Sequence, residues 1–280
     1  MPDSFETILV EKSDLVTTIT LNRPERLNAV NPTMRAELMR ALDEIAQDES
    51  CSVVKLRGAG RAFCSGGDVK NAGRIGSGTE LHKGDTAYDW QRGQANHQLL
   101  WKIWELPQPV VAQVHGYALG WGSLIVTVCD FVIVADDLRI GNAGTVMGAG
   151  MIGPKYVWAV GLRRAKWLDL LPAWRLTGKE AVEWGLANVS VPESELQAEA
   201  DALIKELSTL TRTHLMFRKA SLNQMWDQMG FRSTLSAAQS FDPLAHFSAA
   251  GREIENNIGD NGYIEATAKT NAAYLERHGR

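Results

Sequence analysis

His115-Gly116-Tyr117-Ala118-Leu119-Gly120-Trp121-Gly122-Ser123 stands between two apolar runs, Val110 to Val114 before it and Leu124 to Asp130 after it. The first run reads as a buried strand and the second as a buried helix, so the glycines mark a tight strand-to-helix turn. A helix that opens in this way leaves its first backbone N–H groups without partners, and its dipole adds partial positive charge at the same point. Such a turn can hold a phosphate, a carboxylate or a developing oxyanion. It can equally be a structural corner.

A second turn of the same kind lies upstream. Val53-Val54-Lys55-Leu56-Arg57-Gly58 reads as a strand, and Arg61-Ala62-Phe63-Cys64-Ser65-Gly66-Gly67-Asp68-Val69 follows at once. Two amide-bearing turns, each after a buried strand, can pinch one oxygen atom between them. Acyl-transfer and enolate chemistry need that geometry, because the donors must already stand where negative charge develops.

Composition narrows the classes. With 280 residues and 45% hydrophobic content, the chain can bury a large core as one or two domains. A net charge of −4 gives no broad basic field, so nucleic acid is not an expected partner. Cys51, Cys64 and Cys129 lack C-x-x-C spacing, which predicts a reducing compartment and no zinc site. The longest apolar run, Leu124 to Ala135, is broken by Asp130 and is too short to span a bilayer. No basic stretch followed by an apolar one opens the sequence, so no signal peptide is expected. A cytoplasmic protein without membrane attachment is the expectation.

Outward from the two turns, residues 6–12 and 15–21 alternate as strands around Ser13-Asp14, and Asn31-Pro32 opens a helix with Met34, Leu38, Leu42 and Ile45 on one face. Residues 70–86 read as a flexible, glycine-bearing loop. A helix over 87–105 follows, carrying Trp90, His97, Trp101 and Trp104. Those tryptophans suit core packing or an aromatic wall for a bulky ligand. Beyond them come a strand at 131–135, the short Arg139-Ile140-Gly141 segment, helices near 154–171 and 178–185, and a strand at 187–191. A long helix opens at Pro192-Glu193, and only helices follow.

Six blocks fall in one order over roughly residues 5 to 215. They are Leu21-Asn22-Arg23-Pro24-Glu25-Arg26-Leu27-Asn28-Ala29, Ala62 to Val69, His115 to Gly122, Cys129-Asp130, Leu176-Thr177-Gly178-Lys179-Glu180-Ala181 and Trp184-Gly185-Leu186-Ala187. In order and spacing they resemble the crotonase (enoyl-CoA hydratase/isomerase) superfamily. The resemblance implies an α/β fold. A crotonase-like spiral of ββα units over 1–200 would bind acyl-CoA, and a helical C-terminal region over 201–280 would assemble a homotrimer or a dimer of trimers (a hexamer). It implies that the Gly67 and Trp121 amides form an oxyanion hole gripping a thioester carbonyl. It places CoA along Arg26, Ala29, Ala62, Ser65, Gly66, Asp68 and Val69. CoA would enter as part of the substrate, with no separate cofactor and no metal. Trp121 departs from the family's usual glycine, so its ring either reshapes the acyl pocket or turns into the core.

The same resemblance leaves the acid–base groups unfilled. A hydratase of this family holds a water between two glutamates, and their positions correspond here to Leu124 and Gly144. No Asp or Glu occurs from Leu138 to Trp167, which also removes the nucleophilic aspartate of the related 4-chlorobenzoyl-CoA dehalogenase, expected near Gly150 to Ile152. One dehalogenase-like stretch survives: His97-Gln98-Leu99-Leu100-Trp101-Lys102-Ile103 aligns with the helix that sets a histidine beside the aroyl ring in that enzyme. His97 is therefore the titratable candidate, with Asn142 and Thr145 as groups that could orient a water or a carbonyl. Three functions stay open: a lyase or isomerase of the hydratase/isomerase type with relocated acid–base groups, a C–C hydrolase, decarboxylase or dehalogenase-like enzyme on a cyclic or aromatic acyl-CoA, and a non-catalytic acyl-CoA binding protein.

Overall fold

The computed structural model of the chain describes residues 5–68, 85–142, 155–171 and 174–254, together with 256, 257, 268, 272 and 276. β1 (Ile8–Ser13) and β2 (Val16–Leu21) form an antiparallel hairpin turned at Asp14, whose φ is 51°. α1 (Pro32–Gln47) starts where the sequence predicts. The Asn31 side chain accepts the Met34 N–H at 2.8 Å, and Pro32 fills a position whose N–H would have no partner. Its buried stripe is Met34, Leu38, Ala41, Leu42 and Ile45.

β3 (Val53–Gly58), α2 (Thr86–Glu105), β4 (Val110–Val114), β5 (Tyr117–Leu119), α3 (Trp121–Val128), β6 (Phe131–Ala135) and β7 (Arg139–Gly141) follow. Then come α4 (Val157–Val160), α5 (Leu162–Leu170), α6 (Gly178–Trp184), β8 (Val189–Val191), α7 (Leu196–Leu207), α8 (Arg212–Gln228), α9 (Phe231–Ala238) and α10 (Phe241–His246). The main sheet runs β1-β2-β3-β4-β6-β8 and is parallel from β2 onward. A smaller parallel pair, β5-β7, lies beyond the strand ends, with the isolated bridge Cys64↔Ala118 at its flank. The chain thus winds from main sheet to small sheet to helix and back, as in β4-β5-α3. This is the expected ββα spiral.

The main sheet is covered on both faces, which is why its strands read as continuous apolar runs. Val54 and Leu56 pack with α1, α2 and α3 through Met34, Leu38, Leu99, Ile103 and Ile125. On the opposite face Val53, Val111 and Ile133 meet Leu196, Ile204 and Leu215 of α7 and α8.

Three boundaries differ from the sequence reading. The helix expected over 154–171 breaks at Gly161, where φ is 77°, into α4 and α5. The strand expected over 187–191 starts at Val189, because the Leu186 and Ala187 amides close α6 on the Ala181 carbonyl. The helix after Pro192 begins as a short 3-10 turn at Glu193–Glu195.

The C-terminal helices share the main core. Trp101 and Trp104 of α2 pack with Trp158 of α4, Trp226 of α8 and Phe231 of α9, with ring centroids 4.9 to 6.0 Å apart. The α2 tryptophans at 101 and 104 therefore serve packing, while Trp90 is exposed. Lys219 of α8 reaches Asp130 at 2.7 Å and the carbonyls of Ile103 and Gln108.

Candidate active site

Parallel strands deliver their carboxyl ends to one edge, and ligands of such sheets bind there. Both glycine turns leave from that edge, the first after β3 and the second after β4. They are stitched by backbone hydrogen bonds: Phe63 N–H to His115 O, Cys64 N–H to Tyr117 O and Leu119 N–H to Cys64 O, each 2.9 Å. The His115 ring adds a bond from Nε2 to Gly60 O at 2.7 Å. Glycine is required for this approach. A Cβ on Gly116, where φ is +60°, would lie 2.1 Å from Arg61 O, and one on Gly122 would lie 2.4 Å from Cys64 O.

The stitching leaves two amides open. Gly66 O accepts Val30 N–H at 2.8 Å and Asp68 N–H donates to Val30 O at 3.0 Å, but the Gly67 N–H between them has no acceptor among the described residues. Trp121 is the first residue of α3, its N-cap Gly120 offers no side chain, and its N–H likewise has no acceptor among the described residues. Gly67 is exposed. The Trp121 ring is half-buried and stays at this turn: its Cδ1 lies 3.5 Å and its Nε1 3.9 Å from where a Gly67 Cβ would stand. The indole therefore flanks the Gly67 turn while it also packs against the main core.

The expected CoA-side residues gather around the first turn with distinct local duties. Asn28 is fully buried; its side chain accepts Arg23 N–H and donates to Ala59 O and Ala62 O, each at 2.8 Å. Leu27 and Asn28 both take left-handed backbone, φ 49° and 55°, uncommon for residues with side chains. Arg23 donates to Ala29 O at 2.6 Å and to Asp68 Oδ2 at 2.8 Å. Asp68 is thus a buried partner of Arg23, and its carboxylate locks the 23–29 segment to the turn. The Ser65 N–H donates to Leu27 O, and Arg26 is exposed. Gly66, with φ 119°, carries the chain between them. Val69 lies outside the described residues.

At the expected acid–base positions, Leu124 is a buried core residue, while Gly144 and Thr145 lie outside the described residues. His97 is buried on α2, and its Nδ1 bonds Gly93 O at 3.1 Å. If Nδ1 donates there, Nε2 is left as an acceptor. Burial pushes the His97 pKa below its ordinary value, with Lys155 adding to the fall while Gly93 O and the Asp242 carboxylate oppose it. His97 is therefore neutral near pH 7, as a base must be. Its height in the fold follows from the helices. α2 and α3 both run back from the carboxyl edge of the sheet, and Ile103 and Ile125 line one apolar gap. From there both His97 along α2 and Trp121 along α3 lie toward the carboxyl edge, about 9 Å and about 6 Å up their helices.

Asn142, expected from the sequence to orient a water or a carbonyl, is instead joined to Asp169, and Asp169, Lys155, Ser123 and Tyr156 were not singled out in the sequence. Asn142 Nδ2 donates to Asp169 Oδ1 at 3.1 Å, and Lys155 Nζ meets the same oxygen at 2.9 Å. Gly141 O, adjoining Asn142, accepts the Gly120 N–H at 3.1 Å. Ser123 Oγ bonds Gly120 O at 2.8 Å and the Tyr156 hydroxyl at 2.6 Å. These groups hold the Gly120 corner from behind; burial and the nearby Asp169 push the Tyr156 phenol well above its usual pKa, so it stays protonated. Spacing along the chain gives no hint of them, since Asp169 and Tyr156 arrive from separate helical segments. Among the described residues no cluster of three or more His, Cys, Asp or Glu side chains is placed to hold a metal.

A parallel α/β spiral with two adjoining amide turns at its carboxyl edge is the architecture of crotonase-fold proteins. The family model for enoyl-CoA hydratase/isomerase matches residues 11–254, and the chain belongs to that family. It is similar to an enoyl-CoA hydratase/isomerase from Xanthobacter autotrophicus Py2, 28% identical with a TM-score of 0.88 over 96% of this chain and 99% of that one. An enoyl-CoA hydratase from Mycobacterium smegmatis is 26% identical with a TM-score of 0.87, over 97% and 96% of the two chains. An enoyl-CoA hydratase/isomerase from Mycobacterium paratuberculosis is 27% identical with a TM-score of 0.76, over 89% and 97%. Among the described residues no helix is long and apolar enough to cross a membrane.

Proposed function

We propose that the protein acts on an acyl-CoA thioester, stabilising its enolate between the Gly67 and Trp121 amides and moving protons through His97 in place of the absent glutamate pair. The observation that carries this reading is the pair of unpartnered amides on turns that backbone hydrogen bonds hold together. Two preset donors stabilise charge that develops on the thioester oxygen without needing to reorganise. CoA lies along Arg26, Ala29, Ala62, Ser65, Gly66, Asp68 and Val69, with Arg26 free to reach a phosphate and Asp68 acting through its hold on Arg23. Asn142 acts through the corner it braces; Thr145 is the remaining candidate to orient a water. No cofactor besides the CoA of the substrate is invoked.

The Trp121 ring beside Gly67 favours one particular version of this reading: a cyclic or aromatic acyl group, with C–C hydrolysis, decarboxylation or a dehalogenase-like displacement as the reaction. Residues 201–280 are proposed to assemble copies of the chain as a trimer or a dimer of trimers in the cytoplasm. Phe217, Leu222, Met225 and Met229 of α8 and Leu244 of α10 are exposed and apolar, which suits that role.

The test is a mass-spectrometric screen in water enriched in heavy oxygen, with crotonyl, longer enoyl, cinnamoyl, aroyl and cyclic β-keto CoA thioesters. Heavy oxygen at the β-carbon identifies hydration, and a new carboxylate identifies hydrolysis or ring opening. Binding across the panel without conversion would leave a carrier of acyl-CoA. Failure to bind any thioester would remove the proposal.

A further inference from the structure

Two helix faces that meet inside the molecule are polar where packing calls for apolar residues. On α2, Asp89 and His97 are 3% and 5% exposed, two turns apart on one face. Opposite them, Gln239 and Asp242 are 1% and 7% exposed, and the His246 side chain is 10% exposed. The spacing 239, 242, 246 is again one helix face, carried across the short α9–α10 junction, where Gln239 and Ser240 keep helical backbone. The faces are pinned by His246 Nδ1 to Asp89 Oδ2 at 2.6 Å. Burying polar groups is unfavourable unless they are partnered, and those without partners in a native fold call for a reason.

Gln239 is the sharpest case. Both its side-chain oxygen and its nitrogen are enclosed, and neither has a hydrogen-bond partner among the described residues. The pinned pair sets its height. Gln239 is about 10 Å along the helix from His246, and His97 is about 12 Å along α2 from Asp89. The charge of Asp242 reaches His97, as expected if the two faces are in this register. Lys155 and Asp242 both act on His97 and Asp89 is held by His246, so the seam carries charges of both signs. A neutral oxygen that donates to a histidine nitrogen and accepts from an amide suits it, and only a water or a hydroxyl does both.

We infer that Gln239 is a catalytic residue, its amide N–H donating to the water or hydroxyl oxygen whose proton His97 Nε2 accepts. The inference rests on the acyl-CoA reading above. In the step with water, the O–H proton passes to His97 Nε2 as the oxygen bonds the electrophilic acyl carbon. The displaced electron pair moves onto the thioester oxygen at the Gly67 and Trp121 amides. Gln239 and His97 together then supply the water-holding pair that the missing glutamates leave open, and the C-terminal helices contribute to the chemistry as well as to the core.

Gln239→Leu separates this role from a structural one, because the two predict opposite signs. Replacing an unpartnered buried amide with an apolar group of similar size stabilises a fold, so the melting temperature should rise by about 2 °C. Turnover of the panel thioester that wild-type protein converts should fall about 100-fold, with its dissociation constant changed less than threefold. Gln239→Glu, which restores an oxygen acceptor and can donate when protonated, should recover part of the rate with an altered pH profile. A fall in melting temperature, or wild-type turnover in Gln239→Leu, overturns the inference and leaves the acyl-CoA reading standing. Thioesters that bind wild-type protein without conversion overturn it too. If no panel thioester binds at all, the acyl-CoA reading fails and the inference falls with it.

Discussion

Gly122→Ala probes the spacing of the two open amides more directly than any change to the amides themselves. The added Cβ would stand 2.4 Å from Cys64 O and 2.9 Å from Cys64 Cβ, where ordinary contact begins near 3.4 Å. Neither neighbour can swing aside: Cys64 O is bonded to Leu119 N–H, and Cys64 itself is fully buried, its thiol pushed up to about 12 by desolvation. The start of α3 must therefore move about 1 Å away from the first turn, carrying the Trp121 amide with it. Overpacking of this kind costs about 1–3 kcal/mol, which for a chain of this size lowers the melting temperature by about 2–4 °C per kcal/mol. A misplacement of about 1 Å costs a reaction about 100-fold. Thioester binding should suffer less, because Ala62 and Ser65 lie on the turn that stays put and Arg26 and Ala29 on the segment locked to it. The assay is kcat and KM on a converted thioester, beside thermal melts. Full turnover in a variant whose melting temperature has dropped by the expected amount would show that the amide separation does not govern the rate, and the oxyanion assignment would be refuted.

Three further outcomes are expected. Trp121→Ala removes the ring beside Gly67, so the preference for cinnamoyl-CoA over crotonyl-CoA in kcat/KM should fall about tenfold; an unchanged ratio would take the indole out of the acyl pocket. His97 has a folded pKa below its unfolded value, so the unfolded chain takes up the proton first as the pH drops. Its contribution to stability is therefore complete above about pH 6.5 and is lost as the pH falls toward the folded pKa. His97→Asn should lose less melting temperature than wild type between pH 7.5 and 5.5, and an equal loss would contradict the burial. Lys219→Met should cost about 3–5 kcal/mol, because it strands a buried Asp130 carboxylate with backbone donors such as the Val110 N–H and no cation. Adding Asp130→Asn should recover part of that loss in chemical denaturation, and no recovery would mean that the ion pair is not the source.

The strands, α1, the two glycine turns and their order were legible because each rests on local signals. Val53, Val54 and Leu56 put apolar side chains on both faces of one strand, Asn31-Pro32 caps a helix, and Gly116 and Gly122 have no room for a side chain. The 154–171 helix was misread because its apolar residues continue through Gly161, and only the positive φ there reveals the break. The duties of Arg23 and Asn28 were illegible for another reason. Their block was visible, but that Asn28 spans to Ala59 and Ala62, and that Arg23 claims Asp68, are facts of tertiary approach with no periodicity to betray them.

The tryptophans show how composition misleads about a site. Trp101 and Trp104, which suited an acyl wall, are committed to Trp226 and Phe231, while the ring beside Gly67 is that of Trp121, on a different helix. The reverse error concerns the acid–base groups. A search for carboxylates along the family's positions finds Leu124, a core residue, and stops there. Yet Gln239, Asp242 and His246 repeat at helical spacing inside a segment that otherwise reads as a plain amphipathic coil. A polar stripe in a helix is ordinarily its solvent face, so nothing in the sequence marks this one as buried. Only its place against α2, with His246 bonded to Asp89, does so, and that pairing joins residues more than half the chain apart. The role inferred for Gln239 follows from which helix the C-terminal segment lies against, and the Gln239→Leu pair of readouts is where that placement meets a measurable rate.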